Sequence, residues 1–159
     1  MQIEKVNVSE LHIVKNITTT TITHIYPHYY PQGAVNFFMA HHKEENILKD
    51  IQQGRVFLCY DDKNNAVGTV TIKENEICRL FVLPDYQGRG YGRAMLDYAE
   101  TFIAETYGKI QLDASLPAKK LYAKRGYVVT ESQEILCQNG DYLCYDVMTK
   151  WIKGMCKQL

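Results

Sequence analysis

Apolar and polar residues change their spacing along the chain, and each change predicts an element of secondary structure. The segment Ile3 to Val8 alternates between the two classes, which is typical of a strand. From Glu10 to about Tyr26 the apolar positions recur at helical spacing, and Ser9 stands where a helix cap is expected. Helical spacing also predicts a helix over Gln32 to Gln53, in two pieces that are broken near Lys43.

Three short apolar runs in the middle of the chain predict an antiparallel meander. They are Val56 to Tyr60, Val67 to Ile72 and Glu76 to Val82. The polar stretch Asp61 to Asn65 and the pair Glu74-Asn75 are the predicted turns between them. On an unbroken third strand, every second residue from Glu76 to Val82 would point to the same face.

The segment after the meander predicts a crossover connection. Apolar residues at helical spacing indicate a helix from about Gly90 to Thr106, with Gly108 as its exit. Lys109 to Leu112 then predicts a strand. A strand that follows a helix in this way is expected to lie parallel to the strand before the helix, through a right-handed crossover.

The end of the chain predicts one short helix and one hairpin. Ser115 is placed to cap a helix over Leu116 to Arg125. Two final strands, near Tyr127 to Thr130 and Tyr142 to Lys150, flank the strong turn signal Asn139-Gly140. The whole order is then β-α-α-β-β-β-α-β-α-β-β, an α/β class with a central mixed sheet flanked by helices.

Length and charge limit the classes of function. A chain of 159 residues suits a single domain over residues 1–159. Lysine plus arginine equals aspartate plus glutamate, 18 each, so the chain lacks the basic excess typical of nucleic-acid binding or of an acidic membrane surface. No apolar run reaches membrane-spanning length, and the amino terminus mixes acid and base unlike a signal peptide. A cytoplasmic location is expected.

The cysteines and histidines predict neither disulfides nor a metal centre. Five cysteines occur, at positions 59, 78, 137, 144 and 156, and none form a CxxC pair. Cys59, Cys78 and Cys144 lie in predicted strands, where we expect buried and reduced thiols. The pair His41-His42 stands near two glutamates, but no HExxH motif accompanies it, so no metal is expected.

The segment Gln87-Gly88-Arg89-Gly90-Tyr91-Gly92-Arg93 carries the clearest functional signal. It lies between a predicted strand and a predicted helix, and its glycines leave the backbone N–H groups uncovered. The helix adds the positive end of its dipole, and the two arginines add charge. Together these features predict a binding site for phosphate oxygens.

Two common phosphate-binding motifs fit this segment poorly. A P-loop needs GxxxxGK[ST], and no lysine follows these glycines at that spacing. A dinucleotide-binding turn needs GxGxxG directly after a strand; Asp113 stands where its ribose-binding acid would be, but Gly92 is misplaced and Pro84 separates strand from loop. The upstream meander also differs from a βαβ unit. An NAD-dependent oxidoreductase is therefore the weaker alternative.

The same segment resembles the acyl-CoA-binding signature of the GNAT superfamily of N-acetyltransferases, [QR]-x-x-G-x-[GA]. It stands complete as Gln87-x-x-Gly90-x-Gly92. A second segment, Ala118 to Tyr127, is similar to the late motif of that superfamily: Leu-Tyr, three residues, glycine and an aromatic. The predicted element order matches the GNAT fold over nearly the whole chain, and the chain most resembles the small bacterial single-domain members.

This resemblance implies acetyl-CoA as co-substrate and assigns residues to its binding. The backbone amides of the glycine loop would hold the diphosphate, and a local splay after the third meander strand would free backbone groups for the pantetheine arm and the thioester carbonyl. Ser115 replaces an asparagine that contacts the cofactor in many relatives. The implied cofactor-binding residues are Leu80, Phe81, Val82, Gln87, Gly88, Arg89, Gly90, Tyr91, Gly92, Arg93 and Ser115.

The resemblance also implies catalytic roles. Tyr122 matches the tyrosine that donates a proton to the departing sulfur, and a phenol is neutral and able to donate at pH 7. Glu76 has the spacing of the glutamate that acts as general base in histone-type members. His24, His28, Asp113 and a water chain remain alternatives for the base.

The acceptor would be a primary amine of a small molecule or a peptide. The superfamily places it against the first two helices and the last hairpin, which points to Tyr26, His28 and Tyr30 in a stretch rich in tyrosine and histidine. The same hairpin, if exposed, can pair across a homodimer. A binding module that senses acyl-CoA without turnover remains the alternative function.

Overall fold

The computed structural model describes residues 1–152, which contain five α-helices and seven strands. The fold class, the element order and the break in the second helix are as predicted. Lys43 has an extended backbone with ψ 161°, which separates the two pieces of that helix. The elements are β1 Gln2–Lys5, α1 Leu11–Ile25, α2 Gln32–His41, α3 Glu44–Gln52, β2 Val56–Tyr60, β3 Ala66–Lys73, β4 Glu76–Val82, α4 Tyr91–Ala104, β5 Lys109–Ala114, α5 Lys119–Lys124, β6 Val128–Leu136 and β7 Tyr142–Trp151.

All seven strands form one mixed sheet in the order β1-β2-β3-β4-β5-β7-β6. The meander β2-β3-β4 is antiparallel, and β5 lies parallel to β4 after the α4 crossover, as predicted. The final hairpin returns β7 between β5 and β6, so that β6 is an edge strand. Its turn contains Gly140 at φ +88°, in the left-handed region that suits glycine.

Strands β4 and β5 separate after a short contact. Their pairing covers only Glu76 with Gln111 and Ile77 with Leu112. Beyond Ile77, β4 is paired with β3 on one edge, and its other edge is open. This splay creates a gap in the middle of the sheet, at the carboxyl ends of two parallel strands.

A bulge interrupts the alternation of β4, so the prediction that Glu76, Leu80 and Val82 share one face of a regular strand is wrong. The register with β3 shifts between Val70 and Ile72. Ile77 and Leu80 consequently pack into the same hydrophobic cluster although an odd number of residues separates them. A bulge adds one residue to one strand of a pair, and this extra residue reverses the side-chain direction of everything after it.

Each face of the sheet has its own hydrophobic core. On one face, α4 packs Met95 and Ala99 against sheet residues such as Leu112. On the other face, α1, α2 and α3 cover a second cluster around Leu58 and Phe81. The gap between β4 and β5 is therefore covered by helices from both faces of the sheet.

The amino terminus of α2 is fastened to the turn of the β6–β7 hairpin. The Gly33 amide donates a hydrogen bond to Oδ2 of Asp141 at 2.8 Å, and the Asn139 side chain donates to the same oxygen at 2.7 Å. A Cβ atom on Gly33 would collide with the Asn139 side chain, so the helix approaches this turn as closely as glycine allows.

Two predicted helix caps are wrong. Before α1, a 3-10 turn covers Val8–Glu10, and the Glu10 carboxylate accepts the Asn7 amide at 2.8 Å, so the helical segment starts at Asn7 instead of Ser9. Ser115 does not cap α5, because that helix begins only at Lys119. The Ser115 carbonyl instead accepts the Ala118 and Lys119 amides within a tight turn.

The four cysteines in residues 1–152 are free thiols. Cys59 and Cys137 are buried and Cys78 is half-buried. The prediction of a buried Cys144 is wrong: this residue is exposed, and it lines a shallow surface groove. Cys156 lies outside the described residues.

Candidate active site

The glycine loop before α4 presents free backbone donors. Gly88 and Gly90 have φ +75° and +91°, and a Cβ atom at either position would meet nothing within 4 Å. Within residues 1–152, no carbonyl or side chain accepts a hydrogen bond from the amides of residues 88–93. These amides and the positive end of α4 fit the oxygens of a diphosphate.

The aromatic and basic side chains of this loop border the free amides. Arg89 stacks its guanidinium over the Tyr86 ring, with Cζ 5.3 Å from the ring centroid. Tyr91 packs edge-on against the same ring at 6.1 Å between centroids. Arg93 is exposed in the first turn of α4. Both arginines therefore border the loop on its solvent side.

Gln87 has a structural contact that its sequence motif does not reveal. Its Nε2 donates to the Val82 carbonyl at 3.0 Å, and Thr21 Oγ1 donates to the same carbonyl at 3.2 Å. Gly92 lies directly above Val82, since a Cβ atom there would be 3.7 Å from Val82 Cγ2. These contacts hold the start of α4 close to the open end of β4.

The open edge of β4, from Ile77 to Phe81, borders a cavity of about 360 Å³. Seven residues to which the sequence analysis gave a role in binding or catalysis line it, and they come from five separate parts of the chain. These residues are Tyr26, Glu76, Leu80, Phe81, Asp113, Ser115 and Tyr122.

Tyr122 presents its hydroxyl group to this cavity. The side chain is only 6 % exposed, yet the hydroxyl has no hydrogen-bond partner in residues 1–152 and is not among the fully enclosed polar atoms. Its ring packs edge-on against Tyr127 at 5.7 Å between centroids. Burial raises the pKa of Tyr122 to about 12, so the phenol keeps its proton at neutral pH.

Two carboxylates, Glu76 and Asp113, line the same cavity. Burial is the main cause that raises the pKa of Glu76, followed by the charge of Asp113; Lys73 and Cys78 act against it. Burial also raises the pKa of Asp113, while nearby His41 acts against the shift. A carboxylate with a raised pKa is a better proton acceptor than one in water.

The other predicted base candidates lie elsewhere. His24 is exposed, and its Nδ1 contacts the Thr20 carbonyl at 2.8 Å. His28 is also exposed, and neither histidine lines the cavity. The structure thus brings Glu76 and Asp113 to the cavity and leaves both histidines outside it.

The tyrosines of the predicted acceptor loop have different positions. Tyr26 is buried and lines the cavity; burial raises the pKa of its phenol, and the nearby Ser115 opposes the shift. The Tyr30 hydroxyl instead accepts the Leu116 amide at 2.7 Å, which fixes the connection between β5 and α5. Tyr30 is not part of the cavity lining, although its ring packs on Tyr26 at 5.5 Å.

The structure adds aromatic and histidine residues to the cavity that the sequence analysis did not assign to the site. Phe37 and Phe38 lie in α2, His41 and His42 at its end, and Tyr145 in β7. The only signal for the histidines was their unusual pairing in the sequence, and the phenylalanines lie within the predicted helix Gln32 to Gln53. Their convergence on the cavity depends on how α2 is packed against the sheet.

A buried ion pair between Arg79 and Asp50 lies next to His42 in the cavity lining. Arg79 Nη2 lies 2.6 Å from Asp50 Oδ2, and both side chains are 4 % exposed. Arg79 Nε donates to His42 Nδ1 at 3.1 Å, and because Nδ1 accepts, the proton of a neutral His42 must be on Nε2. Burial and the Arg79 charge lower the pKa of His42 to about 3.

Because the pKa of His42 is low, we expect the fold to be less stable in acid. Its folded pKa lies below its ordinary value of 6.5, so the unfolded chain binds more protons and stability falls as the pH drops below about 6.5. Between pH 6.5 and 5, we expect the free energy of unfolding of His42→Gln to fall by about 2 kcal/mol less than that of wild type. The difference follows because one extra proton bound by the unfolded chain costs about 1.4 kcal/mol per pH unit. Urea unfolding at both pH values measures this. The exposed His12→Gln should behave as wild type, and an equal slope in His42→Gln would refute the assignment.

Within residues 1–152, no group of three histidine, cysteine or acidic side chains is arranged to hold a metal ion. The same part of the chain contains no helix that is both long and apolar enough to cross a bilayer.

Comparison with known proteins fits this geometry. The sequence matches the family model described as an acetyltransferase (GNAT) domain over residues 25–140, well over half of the chain. No curated protein matches the sequence significantly.

Solved structures share the fold. A GCN5-related N-acetyltransferase from Rhodopseudomonas palustris has a TM-score of 0.83 at 24 % identity, with 95 % of each chain covered. PaiA N-acetyltransferase from Thermoplasma acidophilum, solved with coenzyme A, has a TM-score of 0.70 at 18 % sequence identity. The match covers 94 % of this chain and 98 % of the PaiA chain. YncA from Salmonella typhimurium, solved with acetyl-CoA, has a TM-score of 0.68 at 13 % sequence identity. The match covers 100 % of this chain and 98 % of the YncA chain. The matched family model and the shared fold lead to one conclusion: the chain belongs to the GNAT acetyltransferase family.

Proposed function

We propose that this protein transfers the acetyl group of acetyl-CoA to a primary amine of a small-molecule or peptide acceptor. The observation that carries the proposal is the continuous path from the glycine loop, along the open edge of β4, to a cavity that holds Tyr122 and Glu76. As a GNAT acetyltransferase, the protein uses acetyl-CoA as its acetyl donor.

The residues present fit this co-substrate. The free amides of residues 88–93 would bind its diphosphate, with Arg89 and Arg93 supplying charge at the rim. The unpaired edge of β4 at Leu80, Phe81 and Val82 offers backbone groups to the pantetheine arm and the acetyl carbonyl. When bound, acetyl-CoA supplies a thioester whose C–S bond breaks as a C–N bond to the acceptor forms.

Glu76 is the proposed general base. An ammonium group must lose a proton before its nitrogen can attack a carbonyl, and the half-buried Glu76 carboxylate, with its raised pKa, can accept that proton. Asp113, or a water molecule between the two carboxylates, is the alternative acceptor of the proton.

Tyr122 is the proposed general acid. Its hydroxyl group is unpartnered in residues 1–152 and protonated at neutral pH, so it can give its proton to the departing sulfur. Burial also excludes water from this position, which strengthens the interaction of the phenol with a developing negative charge.

The acceptor would lie on the side of the cavity that faces α2. Tyr26 is the proposed contact from the predicted loop, with Phe37, Phe38 and Tyr145 completing an aromatic wall. Tyr30 and His28 would act at most through the position of that loop, because neither lines the cavity.

A thiol-release assay tests this function. Purified protein is incubated with acetyl-CoA and a panel of primary amines, and free thiol and the acetylated amine are measured together. We expect equal amounts of both products with at least one amine. Tight binding of acetyl-CoA with no product from any amine or peptide amino terminus would favour the acyl-CoA sensor instead.

A further inference from the structure

Three carboxylates lie in a row on the face of the sheet that forms the cavity. Glu76 of β4 is paired with Gln111 of β5. Asp113 lies two residues after Gln111 in β5, so its side chain is on the same face as those of Gln111 and Glu76. Asp113 and Glu131 are both opposite Val147, one on each side of β7. Since paired residues point to the same face of a sheet, the row Glu76, Asp113 and Glu131 crosses from β4 to β6.

No lysine or arginine within residues 1–152 forms an ion pair with any of the three. The two cations of the cavity lining, Lys73 and Arg79, contact Asp50 instead, at 3.0 and 2.6 Å. Glu131 accepts a hydrogen bond from Gln133, a neutral side chain. The row thus carries negative charge that the described residues do not neutralise by contact.

The groups that line the cavity together with Glu76 and Asp113 point to an organic cation as the ligand. Tyr122, itself more than nine-tenths buried, turns an unpartnered hydroxyl group into the same cavity. The rings of Phe37, Phe38 and Tyr145 line it as well, and aromatic faces attract ammonium groups. A cavity lined by both carboxylates and aromatic rings is suited to an aliphatic amine.

We propose that the acceptor is a linear aliphatic amine with a second ammonium group, an inference that rests on the proposed function. Its reacting nitrogen would lie at Glu76, near Tyr122, and its second nitrogen at Asp113 and Glu131. The Cα atoms of Glu76 and Asp113 are about 8 Å apart on a regular sheet, from two residues along the strand and one strand spacing. Two nitrogens on one short aliphatic chain match this separation.

The test compares 1,5-diaminopentane with pentylamine, which has the same length and one charge. We expect a KM for the diamine roughly tenfold or more below that of the monoamine. Glu131→Gln should raise the KM for the diamine about five- to tenfold and change that for pentylamine less than twofold. Asp113→Asn should raise the KM for the diamine by at least as much. Glu134→Gln is the matched control, because this exposed carboxylate is on the same strand but lines the opposite face.

Calorimetric binding of both amines to the protein without acetyl-CoA separates this proposal from the proposed function. Preferential binding of the diamine that Asp113→Asn and Glu131→Gln abolish supports the second ammonium site, even if no thiol is released. Equal affinity for the two amines, or an equal loss of both in these variants, overturns the proposal even if acetyl transfer to amines is efficient.

Discussion

Replacement of Gly90 by aspartate is expected to abolish measurable binding of coenzyme A. Gly90 has φ +91°, a conformation that costs an ordinary residue about 1–2 kcal/mol, and it directly precedes the first turn of α4. The new carboxylate would stand among the free amides of residues 88–93, where it would take up their hydrogen bonds and repel a diphosphate. Isothermal titration with coenzyme A should show at least a hundredfold weaker binding, about 2.7 kcal/mol.

Two control variants separate charge from backbone strain. Gly90→Asn has nearly the same size and the same backbone demand without the charge, so it should retain much more affinity than Gly90→Asp. Gly140→Asp introduces the same residue at φ +88° in the distant hairpin turn and should bind coenzyme A like wild type. If Gly90→Asp retained wild-type affinity, the placement of the diphosphate on this loop would be wrong.

Replacement of Tyr122 by phenylalanine is expected to lower kcat by about a hundredfold, the lower range for loss of a general acid. The ring keeps its shape and its edge-on contact with Tyr127, so coenzyme A affinity should change less than threefold. Because the hydroxyl has no partner in residues 1–152, the free energy of unfolding should not fall. Steady-state kinetics, titration with coenzyme A and urea unfolding measure the three quantities.

Tyr127→Phe provides the matched control for this second variant. The Tyr127 hydroxyl donates to Glu100 Oε1 at 3.2 Å, away from the cavity lining, so its loss should cost about 1 kcal/mol of stability and leave kcat nearly unchanged. The opposite pattern, with full turnover in Tyr122→Phe, would show that another group or water protonates the sulfur.

The glycine loop and the fold around it were predictable because their signals are local. Left-handed conformations at Gly88 and Gly90 follow from glycine in a strand-to-helix turn. The parallel pairing of β5 with β4 follows from the helix between them, which returns the chain to the end of the sheet where β4 begins. A motif singled out Tyr122, and in the structure this residue is buried and lines the cavity.

The acceptor side was less predictable because long-range packing determines it. The bulge in β4 depends on the register with β3, which no local pattern of β4 encodes. His41 and His42 reach the cavity only because α2 ends over the sheet, and His42 is held there by the buried Arg79. Tyr30 looked like a substrate contact in the sequence, but its hydroxyl was already committed to the Leu116 amide.

The attachment of α2 to the β6–β7 turn has a bearing on efforts to alter acceptor choice. The helix that carries Phe37, Phe38 and His41 is held at its first turn by Asp141 and pressed against Asn139. A change in the length of that turn would therefore shift the aromatic wall without touching a single lining residue. Variant libraries aimed at new amines should randomise residues 139–141 together with the wall itself.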